Sequence, residues 1–152
     1  MVLHLDLFAP AGVSPEALPT AMTPLPDASL ATRYRVPIEV QVGEQVLRIN
    51  VPEPIAFVAM KTTAKRVQRP TEQKDCFDLY AYVKLLGPEV VNASLDDAGP
   101  EGQRLRRELR ILFWDLDSPG TRDVVAASQL QEVYERQLLA RAVVDLMVEI
   151  TG

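Results

Sequence analysis

The sequence predicts an α+β fold, a small mixed or antiparallel sheet followed by a helical C-terminal half. Three observations carry that expectation. Apolar residues alternate over Val2–Phe8 and again over Tyr34–Val51, the period of a half-buried strand. From Val51 onward the apolar spacing changes to that of helices. Proline and glycine punctuate the change of period, at Pro52, Pro54, Pro70, Gly87-Pro88, Gly99-Pro100 and Pro119-Gly120. A chain of 152 residues is one domain's length, read here as residues 1–52 for the sheet part and 53–152 for the helical part.

In the first strand Leu3, Leu5 and Leu7 share one face, with His4 and Asp6 on the other. Residues 9–31 are rich in Pro, Ala, Ser and Thr and read as a long loop, with a short helical turn at Ser14–Leu18. A hairpin follows: Val36, Ile38, Val40 and Val42 alternate, Gly43 supplies a turn position open to positive φ, and Val46, Ile49 and Val51 carry the return strand. With Val2–Phe8 these strands are expected to form a sheet of at least three.

The central stretch reads as two helices joined by a charged turn. Pro54 fits the first turn of the first helix, where a missing N–H costs nothing. Ile55, Val58, Ala59 and Thr62 then form one stripe, with Lys61 near its border. Pro70 blocks continuation, and Thr71 is the expected N-cap of the second helix. There Asp75, Asp78 and Tyr82 lie along one line, and Lys74 stands four residues before Asp78, the spacing of an ion pair. This cluster is either chemistry or a structural ion network that locks two helices together.

After the stop at Gly87-Pro88, residues 89–93 are ambiguous and Asp96–Pro100 is a turn. Glu101–Trp114 reads as a helix buried through Leu105, Leu109, Leu112 and Phe113, with Trp114 as a core or interface anchor. Asp115–Ser118 looks acidic, but Pro119 makes it the lead-in to a helix, with Ser118 as cap. The last helix spans about Leu130–Ile150, with Leu139, Val143, Leu146, Met147 and Ile150 on its buried face.

Composition narrows the function classes. The net charge of −5 gives no global case for a nucleic-acid partner. Basic residues do gather locally, at Lys61, Lys65, Arg66, Arg69 and Lys74 and again over Arg104–Arg110; either grouping is a phosphate site or a solvated face. The single cysteine, Cys76, excludes an internal disulfide and sits among acids, which suits a packing role better than a nucleophilic one. His4 is the sole histidine, which argues against a histidine-rich metal site or a Ser-His-Asp triad. The sequence offers no bilayer-length apolar run and no signal peptide, so no membrane partner is expected and the cytoplasm is the expected compartment.

The stretch VPEPIAFVAMK…KDCFDLYAYVKLL resembles the C-terminal half of the minimal nucleotidyltransferase superfamily, in the branch that includes abortive-infection toxins. Lys61 matches that branch's helix lysine. Lys74, Asp75 and Asp78 match its Lys-Asp-x-x-Asp motif, and Leu5-Asp6-Leu7 is similar to the strand bearing its third active-site acid. The resemblance covers roughly Leu3–Leu86. It implies an N-terminally incomplete fold of this class, because the Gly-Ser and Asp-x-Asp motifs that precede the Leu-Asp-Leu strand in the family are missing from the 152 residues. It implies transfer of a nucleoside monophosphate from a nucleoside triphosphate to an acceptor, with Mg²⁺ neutralising the phosphates. In that scheme Asp6 is a metal ligand, Lys61 and Lys74 hold phosphate, and Asp75 or Asp78 orients or acts as base. Little or no activity is expected unless a partner chain or an upstream segment completes the carboxylates. The alternative is a non-catalytic interaction module, a decayed nucleotidyltransferase fold that docks a partner such as an antitoxin or a second copy of the chain.

Overall fold

The computed structural model describes residues 7–10, 22–25 and 28–152, with side chains from residue 29 onward. The fold is α+β with a helical C-terminal half. Two compact units divide at Met60/Lys61, inside a helix.

In the first unit, β1 (Leu7–Pro10) pairs in parallel with β2 (Met22–Leu25), Leu7 opposite Met22. Helix α1 (Ala28–Arg33) leads into β3 (Arg35–Val42), which pairs antiparallel with β4 (Gln45–Pro52). The hairpin register sets Val36 against Val51, Ile38 against Ile49 and Val40 against Leu47. All six therefore share one face, opposite Glu39 and Arg48. Gly43 takes φ +62° at the first turn position and Glu44 keeps a negative φ, the pattern of a Gly-X hairpin turn.

Among the described residues the expected three-stranded sheet does not form: β1 joins β2, and the hairpin is a separate two-stranded ribbon. Each of the four strands contains a proline (Pro10, Pro24, Pro37, Pro52) and so lacks a ladder donor, which suits edge strands and works against sheet growth. Residues 9–31, expected as loop, contain β2 and the start of α1; both are too short to show a period. His4, Asp6 and the Ser14–Leu18 turn lie outside the described residues.

Helix α2 (Pro54–Thr63) buries its expected stripe completely, with Ile55, Val58, Ala59 and Thr62 all inaccessible. It runs into a π-helical turn, Ala64–Gln68, closed by the Arg69 N–H donating to the Ala64 carbonyl at 2.7 Å, five residues back. The second unit then packs α3 (Lys74–Leu86), α4 (Pro88–Asp97), α5 (Pro100–Phe113), α6 (Pro119–Ala127) and α7 (Val133–Thr151) around one core. Leu79, Val83, Val91, Leu95, Leu105, Leu109, Phe113, Val124, Val143, Met147 and Ile150 fill it. Gly102 brings α5 against α4: a Cβ there would sit 1.8 Å from the Leu95 carbonyl oxygen.

Several sequence expectations are corrected in this unit. The ambiguous residues 89–93 belong to α4, which continues through Asp97 and leaves only Ala98-Gly99 as the turn. Thr71 does not cap α3, which begins at Lys74 after Gln73, because the preceding residues wrap around a buried lysine described below. Trp114 is no core residue: it is more than half exposed, with the Arg110 guanidinium stacked 4.1 Å from its ring. Leu139 and Leu146 are half-buried, and the buried face of α7 is carried by Val143, Met147 and Ile150.

The end of α7 is tied down by polar contacts. Arg106 donates to the Asn92 side-chain oxygen at 2.6 Å, to the Ile150 carbonyl and to Asp96 at 2.8 Å. Asn92 in turn donates to the Glu149 carbonyl at 2.9 Å. A guanidinium against the last carbonyls of a helix satisfies acceptors that have no intrahelical partner and complements the dipole. Among the described residues no helix is long and apolar enough to cross a membrane.

Candidate functional site

The candidate site lies where the chain leaves α2 and enters α3, within the second unit. Lys61, in the last turn of α2, reaches both acids of α3: its Nζ is 3.2 Å from Asp75 Oδ1 and 2.5 Å from Asp78 Oδ2. Asp75 and Asp78 are three apart, so one helical face offers both carboxylates to one ammonium. Lys74 pairs with Asp78 at 3.5 Å, the expected i,i+4 contact, and keeps a largely exposed side chain. Arg69 adds a third cation, its NH2 3.1 Å from Asp75 Oδ1. The sequence brackets Lys61, Lys74, Asp75 and Asp78 only as a pattern; the fold brings all four into direct contact.

Three cations thus meet two carboxylates. Lys61 is spent internally, since both its acid partners are on α3. Arg69 and Lys74 are the outward-facing charges, and they leave the cluster with a formal excess of one positive charge on an acidic chain. Asp75 itself is almost fully buried, and its Oδ2 has no hydrogen-bond partner among the described residues. A buried carboxylate oxygen without a donor costs desolvation energy that a partner would recover.

Beneath this cluster sits a second one that carries no sequence signature. Lys65, buried, donates to the Pro70 carbonyl at 2.6 Å and the Glu72 carbonyl at 3.1 Å, and its Nζ lies 2.5 Å from Asp123 Oδ2 on α6. Asp123 Oδ2 lacks an aligned hydrogen bond, so the contact is charge pairing rather than a directed bond. An ammonium has three N–H groups; two go to the loop carbonyls, and the charge is balanced by Asp123. The loop at residues 70–72 is therefore folded over Lys65, which delays the start of α3 past Thr71. Asp123 stands 58 positions beyond Lys65, and no local motif could have announced it.

Cys76 packs in the same region, fully buried. Burial pushes its thiol pKa up, and the nearby Asp123 carboxylate adds to the shift. It is a packing residue, as its acidic neighbours suggest. Burial likewise raises the Tyr82 phenol. Three of the other arginines in the basic groups meet acids: Arg66 with Glu108 at 2.6 Å, Arg104 with Glu101 and Glu108, and Arg106 with Asp96, while Arg110 stacks on Trp114.

Among the described residues no group of three or more His, Cys, Asp or Glu side chains is placed to hold a metal ion. Asp75 and Asp78 already share a lysine ammonium, which stands where a cation between them would stand. These two acids do not by themselves fit a magnesium site, and Asp6 lies outside the described residues. Comparison with family models, with curated proteins and with solved structures gives no match.

Proposed function

We propose that the chain is a nucleotidyltransferase-like domain whose α2–α3 junction receives the phosphates of a nucleoside triphosphate. The observation that supports this reading is the convergence of Lys61, Arg69 and Lys74 on Asp75 and Asp78 within 3.5 Å. Arg69 and Lys74 meet phosphate oxygens from the solvent side. Lys61, held by the two acids, offsets part of their negative charge behind that surface. Asp75 and Asp78 orient that lysine from within α3, Asp75 from a buried position and Asp78 from a partly exposed one. Transfer of the nucleoside monophosphate would require Mg²⁺ and carboxylates additional to these two, so binding is the property assigned to the described residues.

Calorimetric titration of the full chain with ATP, GTP, CTP and UTP, each with Mg²⁺, tests the reading. Saturable binding that Lys74→Ala weakens about tenfold is the expected result, one charge-assisted contact being of that order. Lys74 is exposed, so its loss leaves the fold intact. Absence of saturable binding to any of the four nucleotides overturns the proposal.

A second reading, a non-catalytic interaction module, is favoured by the outer face of α7. Tyr134 and Leu138 stand four residues apart there and are both more than half exposed. Light scattering across a concentration series, repeated on Tyr134→Ser/Leu138→Ser, decides whether that face joins two copies of the chain.

A further inference from the structure

A cavity of about 490 Å³ opens between α6, α7 and the loop that precedes α6, on residues apart from the Lys61 cluster. Its volume is that of a small-molecule pocket. Leu116, Val125, Val133 and the small side chains of Ala126 and Ala140 give it apolar walls. The two alanines are what leave the space, since larger residues at those positions would close it. Leu116 and Val133 remain about half exposed or more, so they have apolar surface still to bury.

The polar lining is asymmetric. Arg122 of α6 and Arg136 of α7 both line the cavity, and among the described residues neither guanidinium has an ion-pair or hydrogen-bond partner. This contrasts with Arg66, Arg69, Arg104 and Arg106, each of which has an acid. Asp117 is the one acid in the lining, so the cavity carries a formal charge of +1 on a chain of −5. Gln137 adds an amide that both donates and accepts. An apolar chamber with two uncommitted guanidinium groups selects an apolar molecule ending in an anion, because guanidinium binds carboxylate in a planar, two-pronged geometry.

We propose that this cavity is a binding site for a small apolar carboxylate, of the class of a medium-chain fatty acid. Its alkyl tail lies against Val125, Ala126, Val133 and Ala140, and its carboxylate is taken by Arg122 and Arg136. The reading is independent of nucleotide binding at the α2–α3 junction, since no residue is shared.

The test is calorimetric titration of the full chain with octanoate and, in parallel, with 1-octanol, which has the same tail and no charge. Octanoate is expected to bind saturably at one site, with 1-octanol at least about tenfold weaker, the worth of one charge-assisted bond. Arg136→Gln is expected to weaken octanoate about tenfold, and Asp117→Asn to tighten it, since that acid opposes the ligand's charge. Ala126→Phe, at an exposed position that tolerates bulk, fills the chamber and is expected to abolish binding while the melting temperature holds. Absence of saturation, equal binding of 1-octanol, or unimpaired binding to Ala126→Phe overturns the proposal.

Discussion

Lys65 and Asp123 form an ion pair at 2.5 Å in which the lysine side chain is 7% exposed and the carboxylate 17%. The pair joins the π-helical turn to α6, and the same ammonium holds two carbonyls of the following loop. Taking one partner away leaves the other charged and dry. Lys65→Met is therefore expected to destabilise the chain by about 3–5 kcal/mol in urea denaturation. Adding Asp123→Leu should return a large part of that loss, because the uncompensated charge goes with it. A double variant no more stable than the single one would show that the loop carbonyls, not the ion pair, dominate.

Lys61 and Lys74 both touch Asp78, yet they differ in what their loss exposes. Lys61 neutralises a buried acid, whereas Lys74 lies largely in solvent at 3.5 Å. Lys61→Met is expected to cost about 2–4 kcal/mol of stability and Lys74→Ala less than about 0.5 kcal/mol. Equilibrium denaturation of the two variants side by side checks this. Equal effects would mean that the two lysines do not differ as an internal and an outward-facing charge.

Burial, and then Asp123, raise the Cys76 thiol above its ordinary range in the folded chain. The unfolded chain ionises this thiol near the usual pH of about 8.5. Below that pH both states hold the proton and the group adds no pH dependence. Above it the unfolded state loses the proton first, so stability falls by up to about 1.4 kcal/mol per pH unit. Denaturation curves from pH 7 to pH 10 on the native chain and on Cys76→Ala measure the difference. A thiol reagent should likewise label Cys76 slowly in buffer and rapidly in urea.

Gln129 takes φ +58°, the left-handed region, just after α6. A side chain there costs about 1–2 kcal/mol, which glycine avoids at a smaller entropic penalty. Gln129→Gly is expected to stabilise the chain by about 0.5–1 kcal/mol, read as a rise in melting temperature. A lower melting temperature would mean that the glutamine side chain makes a compensating contact.

The helical half was readable because its signals are local and redundant. The stripe Ile55, Val58, Ala59, Thr62 is buried as its spacing demands, and Leu105, Leu109, Leu112 and Phe113 fill the core as expected. Proline marks the first turn of α2, α4, α5 and α6, where the helices do begin. The Lys74–Asp78 pair followed from an i,i+4 rule. What stayed hidden depends on tertiary placement. Lys65 looks like one more surface lysine until Asp123 and the loop carbonyls surround it. Trp114 has the composition of an anchor but falls on the outward side where α5 ends. Sheet order could not be read either, since strand pairing between distant segments has no periodic trace in sequence, and the prolines that limit it are equally common in turns. Asp6, the expected metal ligand, belongs to the part of the chain outside the described residues.

The turn Ala64–Gln68 holds one residue more than an α-helical turn would, because its closing hydrogen bond spans five residues instead of four. Such a surplus leaves the helix room to lose one residue here and return to the ordinary α-helical ladder. Val67 is the member that gives up least, being 70% exposed, while Lys65 holds the loop beyond it and Arg69 meets Asp75. Losing one codon at Val67 would let the helix close its turn normally, with the flanking loop taking up the slack. A chain shortened by Val67 is therefore expected to keep Lys61 against Asp75 and Asp78, with only the residues between Lys65 and Arg69 rearranged.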